Sequence, residues 1–300
     1  PADVYHVLGG GSLPHLKGIK TVVTFFDLAV EAFPADGKPP EPGKRIADPC
    51  TYDLAKRADC LLATGEHTKK DLMRYYGVAP EKIAVIPTGV NTKVFRPRTP
   101  AVLRETAARY KLPKRFLMMI GPFDPPRRTN ADTMLRAFAG LKREGLTGDC
   151  KLVLVGRGAA HLAKLKALAV ELGISELLVT PGYADLADLP AIYQLCEAVV
   201  HPTSVEGFGF GMEVLACGVP FITSDLPGVV EAVGGAALTV PPAEVEPLAA
   251  AVRDILARPE LRRTLGERGL ARAAGFSYQS VAKRLVALYE SLAAPPEKRK

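Results

Sequence analysis

Two glutamates and three glycines stand close together in Val205-Glu206-Gly207-Phe208-Gly209-Phe210-Gly211-Met212-Glu213. Glycines at alternate positions carry no Cβ to hold a ligand off the backbone. The run 212–217 reads as a helix start, whose unpaired N–H groups suit an anion. Glu206 and Glu213 bracket this cradle, and a carboxylate accepts hydrogen bonds from vicinal hydroxyls, as on a sugar or a ribose. The plain alternative is a tight turn between two solvated glutamates. Cys217-Gly218-Val219-Pro220 and a second apolar run, 221–224, follow directly and favour the binding reading.

A second constellation is Gly121-Pro122-Phe123-Asp124-Pro125-Pro126-Arg127-Arg128-Thr129-Asn130. Two adjacent guanidiniums on a loop after a strand suit a diphosphate, because arginine is always charged and donates in a fixed fork. The alternative is a solvated basic turn. Gly156-Arg157-Gly158 follows another strand and either lines the same cleft or forms a plain turn. His201 precedes Pro202 at a strand end, where a lone histidine more often serves structure than catalysis. His6, His15 and His67 lack metal-ligand spacing, and Asp185 and Asp188 stand one residue too far apart for D-x-D. No metal and no cofactor are expected, so arginines and helix ends would stabilise a leaving anion. Neither a Ser-His-Asp nor a Cys-His arrangement emerges.

These residues must be held by alternating strands and helices. Strands are expected over 4–8, 20–26, 60–64 and 82–86, with helices over 52–58 and 68–76. The second half repeats the pattern more fully. Strands at 116–120, 151–155, 176–179, 197–200, 221–224 and 236–240 enclose helices at 132–144, 161–172 and 186–196. Helices over 245–257, 260–274 and 277–294 close the chain. Alternation of this kind specifies parallel α/β sheets, with ligands beyond the carboxyl ends of the strands.

The stretch from Glu206 to Pro220 resembles the donor-site signature of retaining glycosyltransferases of family 4, which have the GT-B fold. That fold has two Rossmann-like domains with a donor cleft between them. The match extends over nearly all the chain. Lys82–Pro97, K-I-A-V-I-P-T-G-V-N-T-K-V-F-R-P, is similar to the family's interdomain passage, and Ala58–Glu66 is similar to its A-D-x-(I/V)-(I/V)-A-x-S-E stretch. The resemblance implies that Glu213 holds the ribose hydroxyls of a nucleotide sugar and that Glu206 lies near the donor sugar. Backbone groups from Gly207 and Phe208 through Gly209, Phe210 and Gly211 would face the sugar or its phosphates. Arg127 and Arg128 would fill the family's Arg-Lys pair after Gly121, with Thr129 as an inserted residue. Gly182 and Tyr183 would meet the nucleotide base. As catalytic residues the resemblance points to Glu206 and Arg128.

The sequence departs from the family at three places. Six residues separate Glu206 from Glu213, where the family has seven. Phe26 stands where many relatives carry a histidine over the reaction centre. Four strands precede the interdomain passage instead of seven. The expected domains are therefore a partial acceptor-side domain over 1–97, a nucleotide-sugar domain over 98–280, and a C-terminal helix with a basic tail over 281–300 that crosses back to the first. Truncation is one explanation, and a partner chain completing the first domain is the other. The activity implied is transfer of a hexose from a UDP-, GDP- or ADP-linked sugar to a hydroxyl acceptor (glycan, lipid-linked or small molecule), with retention. A donor-binding or regulatory half of a heteromeric enzyme, or a catalytically degenerate nucleotide-sugar-binding protein, remain open alternatives.

Composition narrows the remaining classes. With 48% apolar residues in 300, the chain can bury two cores. Five scattered cysteines form no C-x-x-C pair, the pattern of a reducing compartment. No apolar run reaches the roughly 18 residues of a membrane span. The net charge of +7 is diffuse, with no basic helix interleaved with aromatics, which argues against nucleic acid. A cytoplasmic location is expected, with peripheral contact at the inner membrane face left open.

Overall fold

The computed structural model describes residues 2–9, 13–14, 16–28, 49–124, 129–204, 209 and 211–293. The chain divides into two compact units. Pro1–Gly89, Gly207–Gly209 and Phe276–Lys300 form one, and Val90–Glu206 with Phe210–Gly275 the other.

The first unit is built on four parallel strands in the order β1-β2-β3-β4. They are β1 (Val4–Leu8), β2 (Lys20–Phe25), β3 (Cys60–Ala63) and β4 (Ile83–Val85). Strands buried on both faces read as continuous apolar runs, as Thr21–Phe25 and Cys60–Ala63 do here. Alternation sorts the side chains: Val23, Phe25, Leu61 and Ala63 pack with Leu54 of α1 (Pro49–Arg57) and with Leu72 and Tyr76 of α2 (Glu66–Tyr76). Gly77 ends α2 in the left-handed conformation, φ 59°, and its N–H closes on the Met73 carbonyl at 3.1 Å.

The second unit carries six parallel strands in the order β10-β9-β8-β5-β6-β7. Its elements in chain order are α3 (Pro100–Arg109), β5 (Phe116–Pro122), α4 (Ala131–Arg143), β6 (Lys151–Arg157), α5 (Ala159–Glu171) and β7 (Leu178–Gly182). Then come α6 (Leu189–Leu195), β8 (Ala198–His201), α7 (Gly211–Ala216), β9 (Phe221–Ser224), α8 (Pro227–Val233) and β10 (Leu238–Val240). Helices α9 (Val245–Ala257) and α10 (Pro259–Ala274) complete it. Leu117, Met119 and Leu154 from the central strands meet Leu135 and Phe138 of α4 and Val252 of α9 in one core. At the amino ends of the strands, Glu197 accepts from Arg115 at 2.9 Å and from Arg262 at 3.0 Å. That ion cluster ties β5, β8 and α10 together.

The last helix, α11 (Tyr278–Ala293), belongs to the first unit. Its Val281, Leu285, Leu288 and Tyr289 pack against Val22, Cys60, Leu62 and Ile86, the sheet face that α1 and α2 leave uncovered. Tyr289 Oη lies 2.5 Å from His6 Nδ1, and His6 Nε2 lies 2.7 Å from Thr24 Oγ1.

Both units are Rossmann-like parallel α/β sheets, as the alternation of elements requires. Helices α3 and α8 are additions, since the sequence reading set no element over either. Both open with proline in the first turn, where its missing N–H costs nothing. Strand β7 begins at Leu178, after a 3₁₀ turn over Ser175–Leu177, and not at 176. Helix α6 starts at Leu189 and not at 186, because the Asp188 N–H closes a turn on the Asp185 carbonyl at 2.9 Å.

Candidate functional site

In the second unit the chain runs from β5 outward through β6 and β7, then returns to add β8, β9 and β10 on the other side. Strands β5 and β8 flank the point where the order reverses, which is where open α/β sheets bind ligands. The loop after β5 carries the arginine pair and the loop after β8 carries the glycine cradle. Arg127 and Arg128 lie outside the described residues, as do Glu206, Gly207, Phe208 and Phe210. The anchors of both loops are described.

Asn130 is the chief anchor. It is buried and left-handed, φ 45°, a conformation asparagine tolerates better than most residues. Its amide Nδ2 donates to the Pro202 carbonyl at 2.6 Å and to Ser204 Oγ at 2.7 Å. The side chain at the N-cap of α4 therefore leaves its own helix uncapped and ties the two loops together. Beside it, Thr129 packs where a Cβ on Gly121 would come within 2.5 Å of its methyl group. In the sequence Asn130 stands only at the end of a run, and an asparagine opening a helix is by type an N-cap residue, which hides its reach to the other loop.

Helix α7 brings Glu213 into its first turn. Gly211 begins that helix for a packing reason: a Cβ there would stand 2.8 Å from the Phe221 ring. Burial pushes the Glu213 carboxyl up to about 7. Among the described residues no hydrogen bond or ion pair reaches it. The Tyr193 hydroxyl of α6 is buried and, among the described residues, lacks a hydrogen-bond partner. Desolvation raises its pKa well above the ordinary value, and the neighbouring Glu213 charge adds to that. A carboxylate kept from water and left without donors suits a ligand that brings hydroxyls of its own.

A cavity of about 390 Å³ opens at the carboxyl ends of β5, β6 and β7, lined by Gly121, Gly156, Arg157, Tyr183, Leu186 and Leu189 among others. Gly156 is required there: at φ 145° a Cβ would fall 1.9 Å from the Gly121 carbonyl oxygen. The Arg157 guanidinium lies over the Tyr183 ring, 4.2 Å from its centroid. Gly182 ends β7 at φ 90° and sends Tyr183 to the rim. Thus Gly121 and Tyr183 line one cavity, while Glu213 lies on α7. Gly209 clusters with the first unit, where a Cβ on it would come 3.2 Å from Thr88 Oγ1.

Two of the remaining candidates make bonds within the fold. Asp188 accepts from Arg109 and from the Tyr110 hydroxyl, both at 2.8 Å. The His201 carbonyl accepts from Thr223 Oγ1 at 3.2 Å. No group of three His, Cys, Asp or Glu side chains that could hold a metal occurs among the described residues. None of the described helices is long and apolar enough to cross a membrane. In the first unit, Phe26 is 45% exposed and lines a separate cavity of about 460 Å³ with His6, Thr24 and Tyr278.

Comparison with known proteins agrees with this architecture. The chain is 33% identical over 242 residues to an MMP alpha-(1->4)-mannosyltransferase of Mycolicibacterium hassiacum, covering 79% of this chain and 55% of that protein. It is 27% identical over 272 residues to a D-inositol 3-phosphate glycosyltransferase of Kineococcus radiotolerans, covering 85% of this chain and 62% of the relative. This chain thus spans little more than half the length of the curated relatives it matches. Among solved structures, sucrose-phosphate synthase from Thermosynechococcus elongatus superposes with a TM-score of 0.75 at 27% identity, over 91% of this chain and 68% of that one. The likeness places the two units in the GT-B class expected from the sequence. A model described as Glycosyltransferase Family 4 matches residues 2–94. With the model described as Glycosyl transferases group 1 matching residues 108–272, the chain belongs to the group 1 glycosyl transferases.

Proposed function

We propose that the chain binds a nucleoside diphosphate sugar at the carboxyl ends of β5 and β8 and transfers its hexose to a hydroxyl acceptor with retention of configuration. The observation that carries this is the Asn130 tie, which fastens the chain entering α4 to the chain leaving β8, with the buried Glu213 following in the first turn of α7. Similarity to a mannosyltransferase and to a D-inositol 3-phosphate glycosyltransferase supports the transfer chemistry.

Each residue takes a distinct part. Glu213 accepts hydrogen bonds from the ribose hydroxyls, which supply the donors its pocket lacks. Arg127 and Arg128 hold the diphosphate and stabilise the negative charge that grows on it as the glycosidic bond breaks. Backbone N–H groups of the 207–211 loop orient the sugar, and Glu206 stands beside it. The cavity at Gly121, Gly156 and Tyr183 receives the base, with backbone groups at Gly182 as its edge. The leaving diphosphate takes the proton of the acceptor hydroxyl, which attacks from the face it vacates. The protein contributes positioning and charge. The first unit, with Phe26 where a histidine stands in many relatives, is assigned the acceptor side.

A second reading is favoured by β1. It is the outer strand of its sheet, with Tyr5 41% and Leu8 71% exposed. On that reading a further polypeptide pairs along β1, and the chain is the donor half of a heteromeric enzyme.

The deciding experiment is calorimetric titration with UDP, GDP and ADP, followed by a hydrolysis assay with the matching nucleotide sugar. Binding of one nucleotide, abolished or weakened in Glu213→Ala, supports the donor site. Absence of binding to all three would overturn it. Binding without turnover by the chain alone selects the second reading.

A further inference from the structure

The cavity at the carboxyl ends of β5, β6 and β7 is walled by apolar groups, Ile120, Pro122, Val155, Leu186 and Leu189 among them. Among the described residues that line it, Arg157 is the one charged side chain. Two strand ends place its guanidinium. Arg157 closes β6 opposite Pro122 of β5, and its carbonyl accepts from the Phe123 N–H at 2.9 Å. Tyr183 follows Gly182, the last residue of β7. Its ring takes the guanidinium over one face, 4.2 Å from the centroid. The ring quadrupole attracts the cation there and uses none of its N–H groups. Among the described residues no hydrogen bond or ion pair engages the Arg157 side chain. A planar donor fork therefore stands unpaired in an apolar cavity, and it suits a ligand that brings two adjacent acceptors.

We infer that Arg157 reads the base of the donor nucleotide and that this base is guanine. The inference rests on the proposal that the cavity receives the base. Guanine, adenine and uracil differ in what they present to a fork. Guanine carries O6 and N7 side by side, both acceptors, and arginine pairs with that edge through two hydrogen bonds. Adenine sets an amino donor beside N7. Uracil flanks its O4 with an N–H on one side and a C–H on the other. Each of these two offers the fork one acceptor and turns a group that cannot accept toward its second N–H. The apolar walls give that N–H no other side-chain partner, while they suit the faces of a planar heterocycle. Held against Tyr183, the guanidinium has little rotamer freedom left to lose on binding. Arg157 is thus a specificity-determining residue, apart from Arg127 and Arg128, whose assigned diphosphate is the same whatever the base.

Calorimetric titration of the whole chain with GDP, UDP and ADP tests this, with 7-deaza-GDP as the probe of N7. GDP should bind about tenfold or more tightly than UDP or ADP, as a bidentate arginine–guanine pair discriminates. The analogue has a C–H in place of N7 and should lose most of that advantage. Arg157→Met keeps a stem beside Tyr183 and removes every donor. Arg157 is exposed, so the variant should melt with the wild type. Its ratio of GDP to UDP affinity should fall toward one, and GDP and 7-deaza-GDP should become equivalent. Tighter binding of UDP or ADP by the wild type would overturn the inference and leave the donor site intact. So would full affinity for 7-deaza-GDP, or an Arg157→Met loss equal for all nucleotides, which would make Arg157 a general phosphate-attracting charge. Absence of binding to all three nucleotides would remove the donor site itself, and this inference with it.

Discussion

Asn130 Nδ2 stands 2.7 Å from Ser204 Oγ, across 74 residues of sequence. The bond holds the start of α4 to the chain that leaves β8. Asn130→Ala removes both donors of the amide and leaves an alanine in a left-handed conformation. The expected cost is about 2–3 kcal/mol, from a lost buried hydrogen-bond pair and backbone strain. Asn130→Gly relieves the strain but not the lost bonds, so it should melt above Asn130→Ala and bind nucleotide no better. Thermal melts with UDP and GDP titrations of both variants check this. Equal melting temperatures would remove the strain from the account.

The pH dependence of stability follows from Glu213, whose pKa rises from 4.5 to about 7 on folding. Between those values the folded protein keeps a proton that the unfolded chain has lost. Stability contributed at this position therefore falls as pH rises through that window. Glu213→Gln should be the more stable protein at pH 8, by about 3 kcal/mol at most. Denaturant unfolding of both proteins at pH 5 and pH 8 measures it. A difference that does not grow with pH would mean the carboxyl is not buried in solution.

Donor binding should release a proton near neutral pH, because ribose hydroxyls favour the ionised carboxylate. Affinity should then rise between pH 6 and pH 8 and level off above. Calorimetry in two buffers of different ionisation enthalpy counts the proton directly. The same enthalpy in both buffers would leave Glu213 without a role in binding.

On the proposed assignment the arginines divide the diphosphate between them. Arg128→Ala should cost more affinity than Arg127→Ala, and more for UDP or GDP than for UMP or GMP, since the distal phosphate carries the developing charge. Turnover should persist in EDTA, with the guanidiniums in place of a metal. Equal losses for mono- and diphosphate would return the pair to a solvated turn, and activity restored only by Mg²⁺ would pass the leaving-group role to a cation.

Much of this architecture is legible in the sequence because parallel strands buried on both faces are continuous apolar runs. Phe116–Ile120, Lys151–Val155 and Phe221–Ser224 needed no tertiary information. Helices α3 and α8 were illegible because a proline in the first turn reads as a break until the helix behind it is seen. The candidate site divides in the same way. Gly121, Gly211 and Glu213 announce themselves by type and spacing. Asn130 does not, because its part depends on partners that folding alone brings near: it needs Pro202, 72 residues away.

Gly156→Ala tests the floor of the cavity at β5 and β6. A methyl group 1.9 Å from the Gly121 carbonyl oxygen cannot be absorbed by a side-chain rotation, because the obstacle is backbone in the centre of the sheet. Destabilisation above about 3 kcal/mol is expected, in the range of the more damaging single substitutions. A variant that melts with the wild type would mean that β5 and β6 part more easily than their ladder suggests.

The bond between His6 and Tyr289 joins residues 283 positions apart. During synthesis β1 to β4 leave the ribosome before the second unit does, yet Val22, Leu62 and Ile86 receive their cover only when α11 emerges. The continuous stretch from Val90 onward holds nearly all of the second unit and can close around its own core earlier. The order of birth and the order of completion are therefore reversed. The first unit stays open until α11 has been made, its apolar sheet face available in the meantime to whatever chaperone or neighbouring chain meets it.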